Sequence, residues 1–117
     1  CGQLAGGALN QFQTGAVWRA AYVNSDFTLI ELNQTPAPEY RLFHAGWDAR
    51  GLVPQRTLSI HHPSTDEKAI SFDFDPSISI DLLAINDETH WQGDDWDLGT
   101  TEPGSSGSCL FDPNTAR

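Results

Sequence analysis

The chain has 117 residues, with sixteen acidic side chains against six Lys and Arg and a net charge of −10. That charge argues against nucleic acid and anionic membranes as partners and favours cationic ligands. No apolar run approaches the ~20 residues of a membrane-spanning helix, and the length suits one domain with one core.

Residues 1 to 15 are rich in Gly, Ala, Asn and Gln and read as a loop. Ala16 to Val23 is rich in strand formers. Asn24-Ser25-Asp26 is a polar break. Phe27 to Leu32 then reads as a second strand, apolar enough to be buried. Thr35-Pro36-Ala37-Pro38 is a stiff connector and the best boundary in the chain. Asn33-Gln34-Thr35 fits the glycosylation sequon, a short and common pattern.

Tyr40 to Trp47 reads as a strand. Thr57 to His62 alternates, with Leu58, Ile60 and His62 on one face. Lys68 to Phe74 alternates again, with Ile70, Phe72 and Phe74 opposite Ala69, Ser71 and Asp73. Ser77 to Leu82 places Ile78, Ile80 and Leu82 inward. Pro63 to Asp66 and Asp75-Pro76 are turns between these runs. Asn86 to Gly99 is an acidic loop with Trp91, Trp96 and one short strand. Short period-2 runs separated by turn signals predict an all-β sandwich or barrel.

Thr101-Glu102-Pro103-Gly104-Ser105-Ser106-Gly107-Ser108 is the stretch with chemical promise. A serine hydroxyl beside successive backbone N–H groups is what acyl transfer needs: the hydroxyl attacks a carbonyl and the N–H groups hold the oxyanion. Taken alone, the stretch reads as a polar surface loop. Asp26, ahead of an apolar strand, could orient an imidazole in a Ser-His-Asp triad; by itself it reads as a turn residue. His44, His61, His62 and His90 lack the setting of a general base, and His61 and His62 point to opposite faces of a strand. No metal site or cofactor is expected. The pairs Asp73/Asp75 and Asp94/Asp95 read as solvated loop carboxylates. Cys1 and Cys109 could pair with each other, pair with residues elsewhere, or stay free. The chain starts at Cys1 without Met, and Asp112-Pro113-Asn114 is turn chemistry that normally leads into another strand, so a fragment of a longer protein is expected.

Five ordered blocks go further: Ser25 to Asn33, Ala45-Gly46-Trp47-Asp48, Ile60-His61-His62-Pro63, Glu67 to Ser71, and Thr101 to Ser108. Together they closely resemble the bacterial lysyl endopeptidase group of trypsin-like serine proteases. The resemblance covers nearly the whole chain, with residues 2 to 15 and 84 to 98 matching poorly. It implies a chymotrypsin-like double β-barrel, of which residues 1–34 would end the first barrel. Residues 35–39 would connect the barrels, and 40–117 would form most of the second, truncated after the nucleophile loop. Asp26 matches the triad aspartate and Ser106 the nucleophile, with the N–H groups of Gly104 and Ser106 as the oxyanion hole. Gly46-Trp47 would open the second barrel.

The resemblance also implies a secreted, extracellular endopeptidase acting on proteins or peptides, cutting after basic residues. Enzymes of this kind that are switched on by cleavage carry an aspartate before the nucleophile, which pairs with the new N-terminus. Ser105 stands there instead and implies maturation without that switch. The triad histidine is expected upstream of Asp26 in a Thr-Ala-x-His-Cys context, and all four histidines here follow Asp26, so the 117-residue piece alone is expected to be inactive. Residues that set specificity would lie after the nucleophile. The tryptophan that stacks near the catalytic histidine has no match around Leu83 to Asn86. Cys109 stands where the family has proline, and Cys1 looks like a family cysteine that pairs near the mature N-terminus. The alternatives are a non-catalytic binding or adhesion module on the same fold, decided by an upstream segment without histidine, and an unrelated all-β carbohydrate- or calcium-binding domain.

Overall fold

The computed structural model describes residues 10–83, 86 and 88–115. Among these there is no α-helix; strands and single 3₁₀ turns make up the regular structure. The chain divides into two units, Cys1–His44 and Ala45–Arg117.

The first unit is built on one hairpin. Strand β1, Ala16–Tyr22, pairs antiparallel with β2, Phe27–Leu32. At the polar break Asn24-Ser25-Asp26, Val23–Ser25 makes one 3₁₀ turn and Asp26 follows in the left-handed region at φ 47°, which sends the chain back into β2. Short polar side chains tolerate that backbone better than most. The register slips between Trp18 and Ala20, a bulge at Arg19, whose Nε donates to Glu31 Oε2 at 2.6 Å. The expected burial of β2 is not found: Phe27, Leu29, Ile30 and Leu32 are all about half exposed or more. A two-stranded sheet has no second layer to cover either face. The proline stretch stays with this unit. Gln13 Nε2 donates to the Thr35 carbonyl, and the Tyr40 hydroxyl donates to the Phe12 carbonyl.

No strand forms over Tyr40 to Trp47. Tyr40 closes a 3₁₀ turn begun at Pro38, and Arg41 follows at φ 50°. That left-handed residue breaks the extended backbone a strand needs, and no backbone partner among the described residues pairs with residues 42–47.

The second unit holds a three-stranded antiparallel sheet in the order β4-β3-β7, with β3 at Thr57–His61, β4 at Ala69–Asp73 and β7 at Leu110–Phe111. A separate pair joins β5, Ile78–Ile80, to β6, His90–Gln92. The sheets are open; none closes on itself. In the β3–β4 ladder Thr57 faces Asp73, Ser59 faces Ser71 and His61 faces Ala69, while Leu58 faces Phe72 and Ile60 faces Ile70. One face is therefore polar and the other apolar, as the alternation predicts.

The covered face is the polar one. Thr57, Ser59, His61, Ser71 and Asp73 are buried, whereas Ile60, Ile70 and Phe74 are nearly half exposed. No apolar side chain among the described residues is fully buried. Ile78 and Leu82, expected to face inward, are exposed; β5 lies in a two-stranded sheet with β6.

What covers the polar face is the segment leading into the serine loop. Phe72 and Leu98 exchange backbone hydrogen bonds at 2.8 and 3.1 Å. Gly99 then passes so close that a Cβ there would sit 2.5 Å from Ser71 Oγ and 3.0 Å from the Ile70 carbonyl oxygen. Only glycine permits that approach, and its φ of +87° is likewise in the left-handed region.

Candidate functional site

The serine loop follows directly from this contact. Ser105 N–H donates to the Glu102 carbonyl and Ser108 N–H to the Ser105 carbonyl, giving two consecutive turns around Ser106. The N–H groups of Gly104 and Ser106 have no acceptor among the described residues. Ser106 itself is exposed and, with Thr101, Glu102, Pro103 and Ser105, lines a shallow depression.

Two clamps fix the loop from below. The first joins it to the turn after β3: Ser64 N–H donates to the Pro103 carbonyl at 2.8 Å, and Ser64 Oγ donates to Glu102 Oε2 at 2.5 Å. Gly104 rests on the same turn, with φ +99° and the position of a Cβ only 3.2 Å from the His62 carbonyl oxygen. The second clamp is His61, 1 % exposed. Its Nδ1 lies 2.9 Å from Ser105 Oγ and its Nε2 3.0 Å from Ser71 Oγ.

The hydroxyl protons assign the tautomer. Ser71 Oγ donates to the Thr100 carbonyl at 3.1 Å, so towards the ring it can only accept, and His61 Nε2 carries the hydrogen. Nδ1 is paired with Ser105 Oγ, which also accepts the Glu102 N–H at 3.3 Å. Both imidazole nitrogens are occupied, as a buried ring requires.

His61 is the residue that sequence reasoning missed. The sequence gives it no general-base setting, and it touches Ser105 rather than Ser106. The available signal was its place in the alternation, on the same face as Thr57 and Ser59. His62 points the other way, is exposed, and hydrogen-bonds the Asp66 carbonyl through Nδ1. The opposite-face reading of the two histidines is therefore correct. His90 Nδ1 is bonded to Thr89 Oγ1. Asp26 belongs to the first unit, where its N–H donates to the Val23 carbonyl and its side chain is exposed.

Asp73 corrects another expectation. It is buried rather than solvated, and its Oδ1 accepts the Asp75 N–H at 2.9 Å. Asp97 Oδ2 accepts the Phe74 N–H at 2.7 Å. Carboxylate oxygens of Asp73, Asp75 and Asp97 lie within 4.8 Å of one another, the grouping among the described residues that could hold a metal ion. Asp94 and Asp95 are exposed, as expected. Cys109 is an exposed free thiol, and Cys1 lies outside the described residues, as do Ala84 and Ile85 in the stretch compared for a stacking tryptophan.

A larger hollow of about 600 Å³ lies elsewhere in the second unit, between Trp47, Leu52, Trp91 and Phe111. Of its two cations, Arg56 lies 5.8 Å from the centre of the Phe74 ring and Arg50 is already committed. The guanidinium grips the Asp48 carboxylate, and that hydrogen bond, followed by the charge itself, holds Arg50 further above its ordinary value. No serine, histidine or cysteine arrangement for catalysis lines it beyond the lone thiol of Cys109. Chemistry therefore favours the shallower serine loop over the bigger hollow.

All 117 residues match the family model described as "Lysyl endopeptidase, C-terminal domain". The chain belongs to that family. As a lysyl endopeptidase C-terminal domain it is a β-rich part of a peptidase family, and in its second unit the serine loop is hydrogen-bonded to a buried histidine. None of its described helices is long and apolar enough to cross a membrane.

Proposed function

We propose that this domain supplies the nucleophile and the oxyanion hole of a secreted serine endopeptidase with a chymotrypsin-like double β-barrel. The observation that carries the reading is the loop itself: an exposed Ser106 between turns that leave the N–H groups of Gly104 and Ser106 without an acceptor among the described residues. Ser106 Oγ attacks the scissile carbonyl, its proton passes to an imidazole, and the two N–H groups receive the oxyanion. The imidazole then protonates the leaving amine, and water releases the acyl group from Ser106. Asp26 orients that imidazole. His61, with both nitrogens occupied, does not serve as the base, and we assign that role to a histidine outside residues 1–117. Substrates are proteins or peptides. Cleavage after basic residues accords with the family's name and with a net charge of −10.

The test is covalent labelling of the full-length gene product with a fluorophosphonate, followed by mapping of the modified residue. Modification at Ser106 is expected. Ser106→Ala should remove it and lower kcat by about 10⁴-fold or more, and Asp26→Asn should lower kcat by about 10³- to 10⁴-fold. An unlabelled protein whose peptide affinity survives both substitutions would instead be a non-catalytic binding module.

A further inference from the structure

The position before Ser106 presents a physical problem that the structure solves. An oxyanion loop works only if its N–H groups are already aimed when charge develops. Ser105 has no charge with which to anchor the loop to a chain terminus. Its hydroxyl is nevertheless fixed, because it enters a chain of hydrogen bonds, buried at its centre, running from Glu102 N–H through Ser105 Oγ, His61 and Ser71 Oγ to the Thr100 carbonyl. Both ends of that chain lie within the segment that carries the nucleophile. The centre is a strand residue beneath it, and His61 and Ser71 are the two most completely buried side chains among the described residues.

We propose that His61 is a positioning residue for the reaction: its Nδ1 holds Ser105, and through it sets the Gly104–Ser106 backbone in the shape that receives the oxyanion. The inference rests on the assignment of Ser106 as nucleophile. It adds that the second unit shapes its own oxyanion loop, without an ion pair to a newly cut chain end. The internal anchor is a buried imidazole hydrogen-bonded on both sides, in place of an ion pair.

Asn and Gln separate the two halves of the anchor. An Asn amide places a polar group near where Nδ1 lies, and a Gln amide places one near Nε2. In the full-length protein, His61→Gln should slow fluorophosphonate labelling of Ser106 and lower kcat by about 10- to 100-fold, with KM within about twofold. His61→Asn should recover a substantial part of both rates. Ser105→Ala removes the same bond from the loop side without disturbing the buried strand, and should reproduce the His61→Gln loss even if His61 variants fold poorly.

Labelling at the wild-type rate in Ser105→Ala, with Ser106 still the modified residue, would overturn the positioning role and leave the protease reading intact. Equal losses in His61→Asn and His61→Gln would also overturn it, since a purely structural histidine would not discriminate between them. Modification at Ser105 instead of Ser106 would overturn both, and would make Ser105 and His61 the reacting pair. A wild-type protein that is not labelled at all would remove the protease reading together with the positioning role.

Discussion

At the scale of single residues, the serine loop depends on places where a side chain is forbidden. Gly99 lies on Ser71 with no room for a Cβ and a φ that L-residues resist. Gly51 has a similar positive φ of +67° but nothing within 4 Å of its Cβ position. Gly51→Ala should therefore show only the left-handed backbone cost, about 1–2 kcal/mol. Gly99→Ala should cost about 1–3 kcal/mol more, because it also pushes Ser71 off His61 or Thr100 and leaves buried polar groups unpaired. Urea melts of the two variants measure the difference, and equal costs would mean that the close approach is not a constraint. Tandem turns around Ser106 could be suspected from Gly104 and Gly107 in the sequence. The need for Gly99 could not, since its contact is with a strand 28 positions away in the chain.

At the scale of elements, period-2 alternation gave β3 and β4 nearly residue for residue, and the strand-former content gave β1 and β2. Which face would be covered was not legible. Hydrophobic patterning assumes that the apolar face finds a partner first. Here the polar face, with Thr57, Ser59, His61, Ser71 and Asp73, is buried instead, and the 97–105 segment bonds to His61 and Ser71 on it. The false strand at Tyr40 to Trp47 has a local cause, since aromatic and aliphatic residues there suggested β structure while Arg41 takes φ 50°. In the hairpin of β1 and β2, the bulge brings Arg19 onto Glu31 at 2.6 Å, with both side chains more than half exposed. Such pairs contribute little, so Glu31→Gln should shift stability by less than about 1 kcal/mol, and added salt should narrow the gap further. A thermal melt at two salt concentrations checks this. A larger, salt-resistant loss would show that the bulge itself depends on the pair.

At the scale of the whole molecule, the open sheets leave an apolar surface that water meets directly. Ile60, Ile70 and Phe74 on one sheet, and Phe27, Leu29 and Ile30 on another, are each 45 % exposed or more. The isolated 117-residue chain should consequently bind a dye such as ANS strongly and elute from a sizing column at an apparent mass that grows with concentration. Weak dye binding with a fixed monomer mass would show that these faces are closed in solution. The bond from His61 to Ser105 has a consequence of a different kind, in time. It links residues 44 positions apart, and closing a loop of that length costs about 3 kcal/mol of chain entropy before the contact returns anything. The hairpin of β3 and β4 closes over a far shorter span and can form while the serine loop is still loose. The serine loop is then a late arrival in folding, and the chain passes through most of its assembly with the turns around Ser106 still unset.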